Sequence, residues 1–124
     1  MYVVAFAYPA AGRDSFKLKH FLEVHLPLGV GLCRKHLNLV PVKIVVHGPL
    51  ADGAGGDPAL GAVSQVYFHT RAEAEKFLTL FSFPEAAQKL IADFPNYTSG
   101  APAVLIGEVS EFGDLPGLIS KEAG

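Results

Sequence analysis

The first apolar positions, Tyr2-Val3-Val4-Ala5-Phe6-Ala7-Tyr8, run without a polar interruption, which predicts a strand with apolar side chains on both faces. From Asp14 to Leu37 the spacing changes. Leu18, Phe21, Leu22, His25, Gly29, Leu32 and His36 recur at helical intervals, with Asp14 or Ser15 placed to cap the N-terminus. Val42–His47 and Val63–His69 are short and rich in β-branched and aromatic residues, and the glycine-rich stretch Gly48–Gly61 lies between them, so a hairpin with a long loop is expected. Thr70-Arg71-Ala72-Glu73 has the form of a capping box and predicts a second helix. Ser82-Phe83-Pro84-Glu85 repeats that form, so this helix should break near Phe81 and restart as far as Asp93. Ala103–Val109 reads as a last strand, and Gly113, Pro116 and Gly117 predict a loosely structured tail. The expected organisation is a folded domain over 1–109 followed by a tail over 110–124.

This β-α-β-β-α-β order defines an α+β class, a ferredoxin-like fold with an antiparallel four-stranded sheet and both helices on one face. Two helices cover one face of a sheet whose strands are apolar on both. A large uncovered apolar face is unusual in a monomer, so a second copy of the chain is expected to cover the other side, closing two sheets into a dimeric α+β barrel.

Composition narrows the function. Half of the 124 residues are hydrophobic and 18% charged, which excludes wholesale disorder. A net charge of −2 without a basic run argues against nucleic acid as a partner. The single Cys33 excludes a disulfide framework and a thiolate-rich metal site and fits a reducing compartment. Neither a secretion leader nor an apolar run of the ~20 residues that span a bilayer is read from the sequence, so no membrane association is expected and the cytoplasm is the expected location.

His25-Leu26-Pro27-Leu28 carries the most chemistry. Pro27 deletes one helical hydrogen bond and should kink or end the helix beside His25, which lies on the apolar stripe and therefore points at the sheet. Such a histidine is by default a core residue bonded to a carbonyl. Its functional reading is a general acid/base in a dry pocket, its tautomer fixed by one hydrogen bond. Asp93-Phe94-Pro95-Asn96-Tyr97-Thr98 is a polar and aromatic loop whose default reading is a turn in which Asp93 and Asn96 bond their own backbone. Tyr8 and Tyr67 can present phenols to a pocket, and Phe21 shares the stripe of His25. His20 and His25 stand five apart, no H-E-x-x-H or cysteine pair occurs, and no phosphate-binding glycine motif or G-x-S-x-G is present, so no metal and no nucleotide is expected.

Tyr8-Pro9, Phe16, His25-Leu26-Pro27-Leu28, Val66-Tyr67-Phe68, Asp93-Phe94-Pro95-Asn96-Tyr97-Thr98, Pro102 and Gly107-Glu108-Val109 together resemble the EthD-like family, named for ethyl tert-butyl ether degradation, over Met1 to about Val109. The resemblance implies a dimeric α+β barrel, with His25 as the characteristic histidine and Asp93, Asn96 and Tyr97 lining the loop beside it. Many members have Phe-Asp followed by a Tyr-Tyr pair in the first helix. This chain has Phe16-Lys17 and His20-Phe21 instead. Members are often labelled reductases, yet no nicotinamide or flavin site is legible here, so no cofactor is expected. Relatives with the same barrel include cofactor-free monooxygenases, cyclases, dehydratases, muconolactone isomerases and some haem-binding proteins, and fold alone does not choose among them.

The expectation is a homodimer binding a small apolar or aromatic organic molecule between helices and sheet. His25 would shuttle a proton, as in cofactor-independent oxidoreductase (monooxygenase), isomerase or dehydratase chemistry, with Tyr8, Phe21, Tyr67, Asp93, Asn96 and Tyr97 as substrate-binding residues. The competing class is a non-catalytic binding or auxiliary protein of a degradation pathway in which His25 only packs. A haem-binding variant is a third class, distinguished by a Soret band.

Overall fold

Strand β1, Tyr2–Pro9, pairs antiparallel with both β3 and β4 and therefore occupies the middle of the sheet. The computed structural model describes residues 1–12 and 15–123, with side chains as far as 120, so the proposed cap at Asp14 lies outside the described residues. After β1 come a short helix α1 (Leu18–His20), a wide π-type turn (Phe21–His25) and helix α2 (Leu26–Leu37). The hairpin β2 (Lys43–His47) and β3 (Leu60–Phe68) follows, then helix α3 (Arg71–Phe77), helix α4 (Pro84–Asp93), strand β4 (Ala103–Glu108) and helix α5 (Leu115–Ala123). The four strands form one antiparallel sheet in the order β2-β3-β1-β4, the ferredoxin-like arrangement.

Alternation along β1 sorts the side chains. Val4 and Tyr8 are buried under the helices, and the partners on the same face are Val66 and Ala62 of β3. Leu32, Cys33 and Leu37 from α2, Ala74 from α3, and Ala86 and Leu90 from α4 close over them with Phe68 and Leu80. The other face carries Val3, Ala5 and Ala7, flanked by Val63, Gln65 and Tyr67 on β3 and by Leu105 on β4, which is exposed.

Local chemistry accounts for the boundaries. The capping box at Thr70 is formed in both directions, Glu73 N–H donating to Thr70 Oγ1 and Thr70 N–H to Glu73 Oε1. The second helix is broken as expected, by a 3₁₀ turn over Leu80–Ser82, and restarts with Pro84 in its first turn. The second capping signature is not used: Ser82 Oγ donates to Thr79 O instead. Helix α2 stops at Asn38, whose φ of 49° is one of the few left-handed conformations an L-residue adopts readily.

Three expectations are corrected. Ser15 does not cap the first helix, which begins at Leu18, because its hydroxyl accepts from Ala11 N–H. Leu22 is 45% exposed, since the π-type turn rotates it off the apolar stripe. The tail is not loose: α5 forms, with Asp114 Oδ1 accepting from Gly117 N–H at its start and Pro116 in the first turn, where the missing N–H costs nothing.

Candidate functional site

His25 opens the site because of what Pro27 does to the helix. Leu26 N–H donates to Phe21 O, five residues back, so the turn before Pro27 is one residue wider than an α-turn. Pro27 has no N–H with which to continue the ladder, and the widened turn takes up that defect without ending the helix. The expected kink is thus realised as a local widening. Residues five apart in an α-helix point ~140° away from each other. The wide turn brings His20 and His25 round to one side, and Asp93 lies between them.

Asp93 sits at the end of α4 and is 8% exposed. Its Oδ1 accepts from His20 Nε2 at 2.8 Å and from Asn96 Nδ2 at 2.9 Å, and its Oδ2 lies 3.0 Å from His25 Nδ1. Burial pushes the Asp93 carboxyl up, but the hydrogen bonds from Asn96, His20 and His25 outweigh it and hold the group below its ordinary value. Asp93 is therefore an anion at neutral pH, and an anion at Oδ2 fixes the His25 proton on Nδ1. The default reading of Asp93 and Asn96 as residues bonded to their own backbone is overturned, because Asn96 donates to Asp93 and Asp93 bonds both histidines.

The other ring nitrogen faces aromatic hydroxyls. His25 Nε2 is 3.1 Å from Tyr97 Oη, and Tyr97 Oη is 3.2 Å from Tyr8 Oη. Each hydroxyl has one proton, so this chain has two arrangements. With His25 neutral, Tyr97 donates to Nε2; with Nε2 protonated, His25 donates to Tyr97 and Tyr97 to Tyr8. Burial lowers the His25 pKa, and the Asp93 hydrogen bond and charge restore only part of it. Burial likewise pushes Tyr8 up to about 12 and Tyr97 higher still, so both phenols keep their protons. Phe16, Phe21, Tyr8 and Tyr97 pack at ring separations of 5.0 to 5.5 Å and keep water from this chain. Lys17 N–H donates to Tyr97 O at 2.8 Å and ties the start of α1 to the loop that carries Tyr97.

A cavity of about 60 Å³ lies between helices and sheet, walled by His25, Tyr8, Phe21, Cys33, Ser64 and other, mainly apolar, side chains. It shares Phe6, Phe77, Leu80 and Phe81 with a groove of about 200 Å³ that runs out past Val104 on β4. His25, Tyr8 and Phe21 line the cavity. Asp93, Asn96 and Tyr97 stand behind them and hold His25, so they do not line it. Tyr67 leaves the site altogether. Strand alternation sets it on the opposite sheet face, where its hydroxyl donates to Gln65 at 3.3 Å and the Lys43 ammonium lies 4.9 Å from its ring.

His20 and Ser64 are the site residues that the sequence pattern does not announce. The signal for His20 is the five-residue interval to His25 combined with Pro27, which together mark a widened turn. Ser64 carries no such signal. Among the described residues no group of three or more His, Cys, Asp or Glu is arranged to hold a metal ion, and no helix is long and apolar enough to cross a membrane.

The sheet order and the helix pair place the chain among ferredoxin-like α+β proteins. Its structural neighbours are EthD-like. An EthD-like protein from Ralstonia eutropha JMP134 has the same fold with a TM-score of 0.69 and 24% identity, covering 91% of this chain and 96% of that one. An ethyl tert-butyl ether degradation (EthD) family protein from Bacillus halodurans C-125 gives 0.55 at 13% identity, over 88% and 97% of the two chains. At these identities the likeness is one of fold. No family model matches the chain, and no curated protein does.

Proposed function

We propose that this chain is an EthD-like protein that holds a small apolar or aromatic organic molecule between helices and sheet and exchanges a proton with it through His25. The observation that carries this reading is the His25 tether: one nitrogen on a buried carboxylate, the other on a chain of hydroxyls that ends at Tyr8 in the cavity wall. A proton entering at Tyr8 passes by way of Tyr97 to Nε2 as the hydroxyl chain reverses, and Asp93 stabilises the imidazolium that forms. His20, 30% exposed and bonded to the other Asp93 oxygen, connects the buried pair to solvent. The depressed His25 pKa supports a neutral imidazole, and hence a base, at neutral pH. Isomerisation, dehydration and the activation of a phenol or enol towards oxygen share this proton-transfer step.

The room available supports a ligand of about one ring. The inner cavity of 60 Å³ is smaller than the ~150 Å³ apolar cavity known to admit benzene, so a ring would extend into the adjoining groove past Phe81. Phe81 is 39% exposed and stands where the two volumes meet.

The test is solvent-deuterium incorporation at an acidic C–H of a small cyclic ketone, followed by NMR. The wild-type protein should accelerate exchange, and His25→Gln, which can still donate to Asp93, should bind the ketone equally while losing about 10²-fold or more of the acceleration. Equal exchange with both proteins would leave the carrier reading, in which His25 only packs.

The same reading includes a homodimer. Leu105 is 61% exposed on the open sheet face, and Phe112 and Ile119, 74% and 70% exposed, belong to a C-terminal segment without apolar cover. A second copy covering these surfaces removes an apolar area that monomers rarely leave in water.

A further inference from the structure

Ser64 stands in the middle of the helix-facing side of the sheet, in register with Phe6 of β1 and Val46 of β2, with Ala62 and Val66 as its neighbours on β3. It is 1% exposed, it lines the cavity, and its Oγ has no hydrogen-bond partner among the described residues. It is the one buried side-chain polar atom of the described residues in that condition. An unpaired buried hydroxyl is expensive, and alanine or valine at this position would bury no polar atom at all. The side chains directly beside it on this face, Phe6, Val46, Ala62 and Val66, carry no polar atom, and Tyr8, diagonal to it on β1, is bonded to Tyr97. The remaining direction is the cavity.

We infer that Ser64 Oγ anchors a hydroxyl or carbonyl oxygen of the molecule bound in this cavity, which makes the ligand a small apolar ring bearing a neutral oxygen function and not a plain hydrocarbon. The inference rests on the reading of the cavity as a ligand pocket and adds which chemical class it selects. A serine hydroxyl donates to a carbonyl and both donates to and accepts from a phenol, so both forms of oxygen function suit it. A carboxylate does not, because the lining holds no lysine or arginine and both nitrogens of His25 are already engaged. Apolar walls discriminate weakly by size, whereas a buried hydroxyl left unpaired by a hydrocarbon discriminates by chemistry.

The experiment compares phenol with toluene, which have nearly the same shape, on wild type and Ser64→Ala, with affinity read by NMR titration and stability by thermal melting. The wild-type protein should prefer phenol, and Ser64→Ala should lose roughly three- to tenfold of that preference, the range of one neutral hydrogen bond, with toluene affinity unchanged. The unliganded Ser64→Ala protein should melt no lower than wild type, since the hydroxyl has no partner to lose. A preference for phenol that survives intact in Ser64→Ala, or a clear fall in its melting temperature without ligand, overturns the assignment while leaving the pocket and His25 untouched. Binding of neither probe overturns the pocket reading and this inference with it.

Discussion

Asp93 Oδ2 stands 3.0 Å from His25 Nδ1, across 68 residues of chain, and this contact decides the chemical state of the site. Asp93→Asn is the sharpest test of it. Asparagine offers one acceptor oxygen where His20, His25 and Asn96 present three donors, so at least one buried donor loses its partner. Urea unfolding should show a loss of about 2 kcal/mol. The His25 pKa, followed by NMR, should fall further, because the hydrogen bond and the charge of Asp93 are what raise it against burial.

Stability should decline towards acid. His25 has a folded pKa below its ordinary 6.5, so between those two values the unfolded chain binds the extra proton and unfolding is favoured as pH falls. Asp93 has a folded pKa below its ordinary 3.8, so the stability it provides is complete above that value and is lost as pH drops through the folded one. Both shifts have the same sign, with His25 acting first. The melting temperature should fall as pH is lowered below 6.5, and the fall should be shallower in His25→Gln. Parallel curves for the two proteins would mean that His25 titrates normally.

The two tyrosines are unequal. Tyr97 bonds both His25 and Tyr8, whereas Tyr8 Oη is bonded, among the described residues, to Tyr97. Tyr97→Phe leaves His25 Nε2 and a buried phenol unpaired and should cost about 2 kcal/mol, while Tyr8→Phe leaves Tyr97 bonded to His25 and should cost about 1 kcal/mol or less. The double variant should cost less than the sum, since both changes break the same bond. Denaturant unfolding of the three variants measures this directly.

The fold was legible because each element carries its own signal: the Thr70 box, Pro84 in a first turn, and two β-branched runs flanking a glycine-rich loop. The site was legible in part. His25 and Tyr8 announce themselves through Pro27 and through strand alternation, and Asp93, Asn96 and Tyr97 stand together in one short loop. Alternation also removed Tyr67, because the phase of β3 is set by its register with β1 and is not fixed by Tyr67's own neighbours. His20 was hidden because helical spacing assumes a regular helix, and the widened turn at Phe21–His25 breaks that assumption. Ser64 was hidden because a serine within a strand has no local pattern, and only the packed structure shows that its hydroxyl lacks a partner among the described residues. The tail was misread for a related reason, since Pro116 and Gly117 break a helix interior but are tolerated in a first turn capped by Asp114.

Cys33 should be chemically silent. It is fully buried in α2 against the sheet, and burial pushes its thiol up to about 11, against a weaker pull from Lys76. An aromatic disulfide reagent should label the native protein far more slowly than a free thiol and should reach one equivalent in urea, where the single cysteine is exposed. Fast labelling of the native protein, measured by thiolate release, would mean that the cavity admits reagents as far as α2.

Leu105 gives the most direct access to assembly. It projects from β4 on the open sheet face, beside Ala5 of β1, and is 61% exposed. In a monomer, Leu105→Glu is a surface change and should alter stability by no more than about 0.5 kcal/mol. In a dimer closed over this face, the same change buries an unpaired carboxylate at the contact. The proposed homodimer therefore predicts that wild type runs as a dimer in native mass spectrometry and that its melting temperature drops on dilution, because folding and association are linked. Leu105→Glu should run as a monomer and melt lower, with no dependence on concentration. A wild-type monomer whose melt ignores concentration, together with a Leu105→Glu variant of unchanged stability, would show that this apolar face is tolerated in water.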